Sequence, residues 1–186
     1  AAFDPPHNGH LTMAREVVKR GISRRVILVP CGTHAFDKIM SPARDRMMMT
    51  QMMVDRLNKE VGNFFELSDI EIKRPGLSLT YETLDQYAKL YPADEIGWLM
   101  GSDQLPKFNL WHKYKEMLAK YPFYVYPRKG YPFEPWLNGM IEIKDVPIVD
   151  LASSEVRAKY QASGTITGMV LPEIEKYVKE NSLWKK

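Results

Sequence analysis

Two histidines three residues apart, His7 and His10, end the segment Ala1-Ala2-Phe3-Asp4-Pro5-Pro6-His7-Asn8-Gly9-His10, in which two prolines stiffen the approach to a helix. Residues at i and i+3 share a helix face, so a helix starting near Asn8 aims both imidazoles at one point beside its positive end. That point favours an anion, and a phosphate above all. Pro5 and Pro6 fix φ and withhold two N–H donors, while Gly9 lets a ligand approach the backbone without meeting a Cβ. A second set of anion-binding groups lies near the other end, in Leu151-Ala152-Ser153-Ser154-Glu155-Val156-Arg157. There serine hydroxyls precede a helix, leaving its first amides for an anion. Arg157, one turn inside, can grip a phosphate through paired charge-assisted bonds. Taken alone, this segment reads rather as an ordinary capped surface helix with a solvated arginine.

The elements that must position these groups alternate short β-branched runs with amphipathic helices, which argues for crossover units and a parallel sheet. Helices are expected at residues 11–20, 42–57, 80–91, 111–120, 154–161 and 172–181. Extended runs are expected at 25–29, 64–72, 96–100, 123–126, 141–143 and 148–151. Ser41 is the expected N-cap of the second helix, with Pro42 at its first position. The expected fold is α/β, a Rossmann-like open parallel sheet with helices on both faces, built as a single domain over residues 1–186. The strand at 96–100 delivers Gly101-Ser102-Asp103 at its carboxyl end, where ligands bind in such sheets. A parallel nucleotide-binding sheet normally places a strand before its first phosphate-contacting turn, so a short apolar strand is expected to precede Ala1.

Composition excludes several classes. The net charge of +3, from 26 basic and 23 acidic residues scattered along the chain, gives no stripe for nucleic acid. No apolar run approaches the roughly 18 residues needed to cross a bilayer, so no membrane partner is expected and the cytoplasm is the default location. The single cysteine, Cys31, is read as a packed or loop residue rather than a ligand or nucleophile. Met47, Met48, Met49, Met52 and Met53 are assigned to packing rather than to a soft metal. No side-chain metal cluster is read, and a homo-oligomer is left open.

The order around His7 and His10 resembles the H-x-G-H signature of nucleotidyltransferases that transfer a nucleoside monophosphate from a triphosphate onto a phosphate. The segment 151–157 is similar to the I-S-S-T-x-I-R signature of the same enzymes, with Ala152 for the first serine and Ser154 for threonine. Two such signatures in the expected order, far apart, arise by chance much less readily than either alone. The middle narrows the resemblance to bacterial nicotinate mononucleotide adenylyltransferases. Arg74-Pro75-Gly76-Leu77-Ser78-Leu79-Thr80-Tyr81-Glu82-Thr83-Leu84 looks like their R-x-G-x-S-Y-T-x-x-T-L run, with Leu79 in place of tyrosine. Gly101-Ser102-Asp103-Gln104-Leu105, then Phe108 and Trp111, is similar to their G-A-D-x-L and F/L-x-x-W runs, and the ending from Leu171 to Leu183 is also of their kind.

The resemblance implies transfer of AMP from ATP to nicotinate mononucleotide, giving nicotinate adenine dinucleotide and pyrophosphate in NAD biosynthesis, with Mg²⁺ carried by ATP. It implies His7, His10 and Arg157 as the catalytic set. Phe3, Gly101, Asp103, Ser153 and Ser154 would join them around ATP, with Lys38 carried over from a poorly matched loop and Arg46 nearby. Thr80, Trp111 and Arg128 would meet the mononucleotide, Trp111 by stacking on its pyridine ring. The rival enzymes are sister transferases acting on nicotinamide mononucleotide or phosphopantetheine. The rival of another class is a nucleotide-sensing module that binds without turnover.

Overall fold

The structure, a computed structural model, describes residues 1–34 and 39–184. The chain forms two compact units, one of Ala1–Leu77 with Leu151–Lys186, the other of Ser78–Asp150. In chain order the elements are α1 (Asn8–Lys19), β1 (Val26–Leu28), β2 (Thr33–His34), α2 (Ala43–Val61), β3 (Phe65–Leu67), α3 (Ile70–Lys73) and β4 (Leu77–Ser78). There follow α4 (Thr80–Leu90), β5 (Trp98–Gly101), a 3₁₀ helix (Ser102–Leu110), α5 (Tyr114–Lys120), β6 (Phe123–Tyr126) and β7 (Met140–Glu142). The chain closes with α6 (Ser153–Ser163) and α7 (Pro172–Glu180).

In the first unit β1 and β3 pair in parallel, from Val26 opposite Phe65 to Leu28 opposite Leu67. Parallel neighbours require a crossover, and α2 supplies it. Its Met49, Met53 and Leu57 are fully buried against Leu28 and Phe65, joined there by Val156 and Tyr160 of α6 and Ile174 and Val178 of α7. In α7 the pair Ile174 and Val178, four apart, forms the apolar stripe, Pro172 opens the helix and Lys179 lies in its last turn. Ala1 lies beside the end of β1, its nitrogen donating to the Val29 carbonyl and its own carbonyl accepting from Cys31.

The second unit carries a three-stranded parallel sheet in the order β5-β6-β7, with Trp98 opposite Phe123 and Phe123 opposite Met140. Phe108 and Met117, from the connection between β5 and β6, pack with Phe123, Val125, Leu84 and Leu105. The ring of Phe108 meets that of Phe123 edge-on at 5.2 Å, the favoured arrangement for two aromatic quadrupoles. The β1-β3 pair and the β5-β6-β7 sheet are parallel and packed against helices, so the fold is α/β. No helix among the described residues is long and apolar enough to cross a membrane.

Four local expectations change. The extended run at 64–72 stops at Leu67, because the Ser68 hydroxyl accepts the Ile70 amide and Asp69 pairs with Lys73, starting a helical turn instead. The helix expected at 111–120 begins only at Tyr114, since Lys113 sits in the left-handed region at φ 53° and separates it from the 3₁₀ run that contains Pro106. At the start of α2, Pro42 occupies the cap position, while the Ser41 hydroxyl accepts from the Trp184 indole. Residues 148–151 contribute an isolated parallel bridge, Val149 to Arg128, rather than a strand. Of the methionine group, Met49 and Met53 are core residues and Met48 is exposed.

Candidate active site

The turn that precedes α1 is built from buried residues: Phe3, Asp4, Pro5, Pro6 and His7 are all hidden from solvent. His7 is the N-cap of α1 and His10 its third residue, and the two side chains cap the helix reciprocally. Nδ1 of His7 accepts from the Gly9 amide at 3.1 Å, and Nδ1 of His10 accepts from the His7 amide at 3.2 Å. A neutral imidazole whose Nδ1 accepts must carry its proton on Nε2. The capping box therefore fixes the tautomer of both rings, with the proton of each on Nε2. The rings lie 3.8 Å apart between centroids, and Phe3 flanks His10 at 4.9 Å. Asn8 donates its amide to the Met169 carbonyl, and His10 and Leu11 donate theirs to the His7 carbonyl. The first-turn amides of α1 are thus engaged, and an anion at this end would meet imidazole N–H groups and the helix field rather than bare backbone donors.

The start of α6 joins the same unit at this turn. The Ser153 hydroxyl donates to the Pro5 carbonyl at 2.9 Å, and Nη1 of Arg157 donates to the Asp4 carbonyl at 2.5 Å. Arg157 also lies 3.8 Å from Oδ2 of Asp4, which accepts from the Ser41 amide at 3.1 Å. Arg157 keeps about a fifth of its side-chain surface exposed, 22%, while Asp4 is buried. One terminal nitrogen is thereby anchored, and the partly exposed fork can meet a phosphate. The serines do not cap α6 as expected. Ala152 holds the cap position and has no acceptor, so the Glu155 carboxylate caps by taking the Ala152 amide at 2.6 Å. Ser153 instead holds the preceding turn, and Ser154 is exposed beside it.

In the second unit Gly101 ends β5, Ser102 begins the 3₁₀ helix and Asp103 is its second residue. Asp103 is not the helix cap. Its Oδ2 accepts from Gln104 at 2.7 Å, and its Oδ1 lies 3.7 Å from Nε of Arg128. Ser102, fully buried, pins the Arg128 turn: its hydroxyl accepts the Arg128 amide at 2.9 Å and donates to the Tyr131 carbonyl at 2.8 Å. A Cβ on Gly101 would run into Oδ1 of Asp103 and stand 2.9 Å from Cγ of Arg128, so only glycine allows these two side chains to close over the strand end. Thr80 opens α4. Trp111 is half-buried, its ring tilted by 41° to that of Phe108 with the centroids 5.2 Å apart.

The structure therefore gathers His7, His10, Phe3, Ser153 and Arg157 in the first unit, and Gly101, Asp103 and Arg128 in the second. Lys38 lies outside the described residues. Arg46 is not a phosphate-facing cation: it is buried, with Nη1 on the Ala2 and Cys31 carbonyls and Nε on the Ser41 carbonyl. Two residues that sequence reasoning passed over matter here. Asp4 anchors both Arg157 and Ser41, and Ser102 holds the Arg128 turn. Asp4 could have been suspected from a charged residue locked between Phe3 and Pro5, whereas Ser102 gave no signal.

A model of the cytidylyltransferase-like family matches residues 2–159. Among similar proteins, the probable nicotinate-nucleotide adenylyltransferase of Methylacidiphilum infernorum is 30% identical over 186 residues, covering 98% of this chain and 88% of its own length. That of Clostridium novyi is 31% identical, covering 98% and 95%. In shape the chain is similar to Plasmodium falciparum nicotinic acid mononucleotide adenylyltransferase complexed with NaAD, with a TM-score of 0.85 over 99% of this chain and 94% of the other at 18% identity. It is also similar to a putative nicotinate-nucleotide adenylyltransferase from Vibrio parahaemolyticus, with a TM-score of 0.72 over 100% and 92% at 18% identity. At that identity the likeness is one of fold.

Proposed function

The chain belongs to the cytidylyltransferase-like family, and we propose that within it this protein is a nicotinate-nucleotide adenylyltransferase of NAD biosynthesis, residues 1–186 serving as one nucleotidyltransferase domain. An oxygen of the nicotinate mononucleotide phosphate attacks the α-phosphorus of ATP. The new P–O bond forms as the bond to the β-phosphate breaks, and pyrophosphate leaves with its electron pair. The attacking phosphate is already anionic at neutral pH, so no side chain needs to remove a proton, and catalysis is positioning plus charge stabilisation.

The observation that carries this reading is the meeting of the α6 start with the turn leading into His7 and His10, through Ser153 on Pro5 and Arg157 on Asp4. In the proposal the Nε2–H groups of His7 and His10 donate to oxygens of the α-phosphate as charge builds, with Phe3 holding His10 in place. Arg157 and the α6 start, with Ser153 and Ser154, hold the β- and γ-phosphates. Gly101 and Asp103 serve the nucleoside of ATP. Thr80, Trp111 and Arg128 receive the mononucleotide, the free face of Trp111 stacking on the pyridine ring. Magnesium would be carried by the ATP substrate, where it would supply charge neutralisation of the triphosphate. The proposed location is the cytoplasm.

The test is pyrophosphate release on mixing protein with Mg·ATP and either nicotinate or nicotinamide mononucleotide. Release is expected only with an acceptor present and faster with the nicotinate form. His10→Ala should lower turnover by about two orders of magnitude or more while the folded structure persists, because its interaction strengthens in the transition state. No release with either acceptor overturns the reading, and near-normal turnover of His10→Ala removes His10 from the mechanism.

A further inference from the structure

The first unit contains a buried carboxylate that no step above uses. Glu175, in the first turn of α7, is hidden from solvent and saturated with donors. Its Oε1 accepts from the Thr165 hydroxyl at 2.8 Å, the Ile166 amide at 3.1 Å and the Lys179 ammonium at 2.9 Å, and its Oε2 accepts from the Thr167 hydroxyl at 2.9 Å. Three of these four donors come from consecutive residues of the loop between α6 and α7. A carboxylate bonded in this way fixes a loop much as a metal ion would, because each donor must keep its direction.

The next two residues of that loop hold the reacting turn. The Gly168 carbonyl accepts from Nδ2 of Asn8 at 2.8 Å, and the Met169 carbonyl accepts from the Asn8 backbone amide at 2.9 Å. Asn8 stands between the two halves of the capping box, directly after His7 and two residues before His10. The loop is itself tied down by Ile166, buried in the core, by the Met169 amide on the Ile166 carbonyl, and by the bridge from Thr167 to Val170. There is thus a series of short bonds from Glu175, through the loop at 165–169, to the residue that stands between the two histidines of the capping box.

We propose that Glu175 and Asn8 are positioning residues for the transfer reaction: Glu175 sets the loop at 165–169, and the loop, through Asn8, holds the His7 and His10 rings in register. The proposal rests on the reading of those histidines as the reacting pair. A small rotation of the first turn of α1 would move both Nε2–H groups together, and misplacement by about an ångström is enough to lower a rate by orders of magnitude.

The experiment is a set of crossed variants in the full chain, with active sites counted by ATP-analogue binding and rates taken well below the melting temperature. Glu175→Gln and Asn8→Ala should each reduce kcat by about tenfold with less than a twofold change in KM for ATP. Combined, they should lose no more than either alone, because they act along one series. In a His10→Ala background, Glu175→Gln should have little further effect on kcat. Thr167→Ala, which removes one donor at the exposed edge, should give the same pattern more weakly, Thr167→Ser should restore it, and this pair decides the matter should Glu175→Gln not fold. An undiminished effect of Glu175→Gln or Thr167→Ala in the His10→Ala background, or loss of stability with unchanged kcat per active site, overturns the positioning role. Normal turnover of His10→Ala alone instead overturns the assignment of the histidines.

Discussion

Glu175 also makes a thermodynamic prediction that does not depend on the reaction. Burial by itself raises the pKa of this carboxyl, but Lys179, the Thr165 hydroxyl, the Ile166 amide and the Thr167 hydroxyl outweigh it and hold the value at about 2, below an ordinary 4.5. A carboxylate with a depressed folded-state pKa contributes stability that is full above the unfolded value and is lost as pH falls toward the folded one. A drop of that size corresponds to about 3 kcal/mol at most, and the half-exposed Lys179 brings a working figure nearer to 2 kcal/mol. Glu175→Gln keeps the shape and one acceptor oxygen but loses the charge, so it should destabilise the fold by about 2 kcal/mol at neutral pH. In urea, with a slope near 2 kcal/mol per molar, the midpoint should fall by about 1 M. Repeating the titration downward in pH should narrow the gap between native and variant protein, with about half of it gone near pH 3. A gap of constant size from neutral to acid pH would mean that packing rather than ionisation is responsible, and no gap at neutral pH would refute the argument altogether.

Two other outcomes follow from the second unit. Gly101→Ala should displace Asp103 or Arg128 and lower kcat/KM by about tenfold or more while leaving the sheet intact, since the new methyl meets side chains rather than strand backbone; unchanged kinetics would show that neither side chain needs its present position. Trp111→Ala should raise KM for the mononucleotide more than KM for ATP, by the equivalent of about 1–3 kcal/mol if the exposed ring face stacks on the pyridine. Because the ring also packs against Phe108, some stability will be lost as well, so the comparison is made between the two substrates of one variant, and equal effects on both would remove the stacking role.

Much of the fold was legible because its signals are local. The parallel arrangement was implied by apolar runs alternating with amphipathic helices, and the run expected at 123–126 is β6 as observed. Boundaries failed where two local codes competed. At 68–73 a serine and an aspartate turned an extended run into a helical turn, and at 111–113 a single left-handed lysine divided what periodicity read as one helix. Pro42 took the cap position because its own ψ is extended, which released Ser41 to bond Trp184 and Asp4, partners 143 and 37 residues away.

The candidate site divides along the same line. Spacing alone put His7 and His10 on one helix face, but it could not say that each Nδ1 would take up a backbone amide. That detail is what chooses the proton's position, and it turns a pair of histidines into a pair of directed donors. The buried charges were illegible for a different reason. The resemblance put Arg46 near the phosphates, yet three carbonyls from Ala2, Cys31 and Ser41 converge on it, and no pattern in one dimension announces such a convergence. Glu175 sits in a helix whose sequence suggests nothing beyond a favourable acidic first turn, and its donors become visible only when the preceding loop folds back over it. Charged residues that bind ligands and charged residues that bind the protein's own backbone use the same hydrogen-bond chemistry. They are separated by burial, and burial is a property of the folded chain.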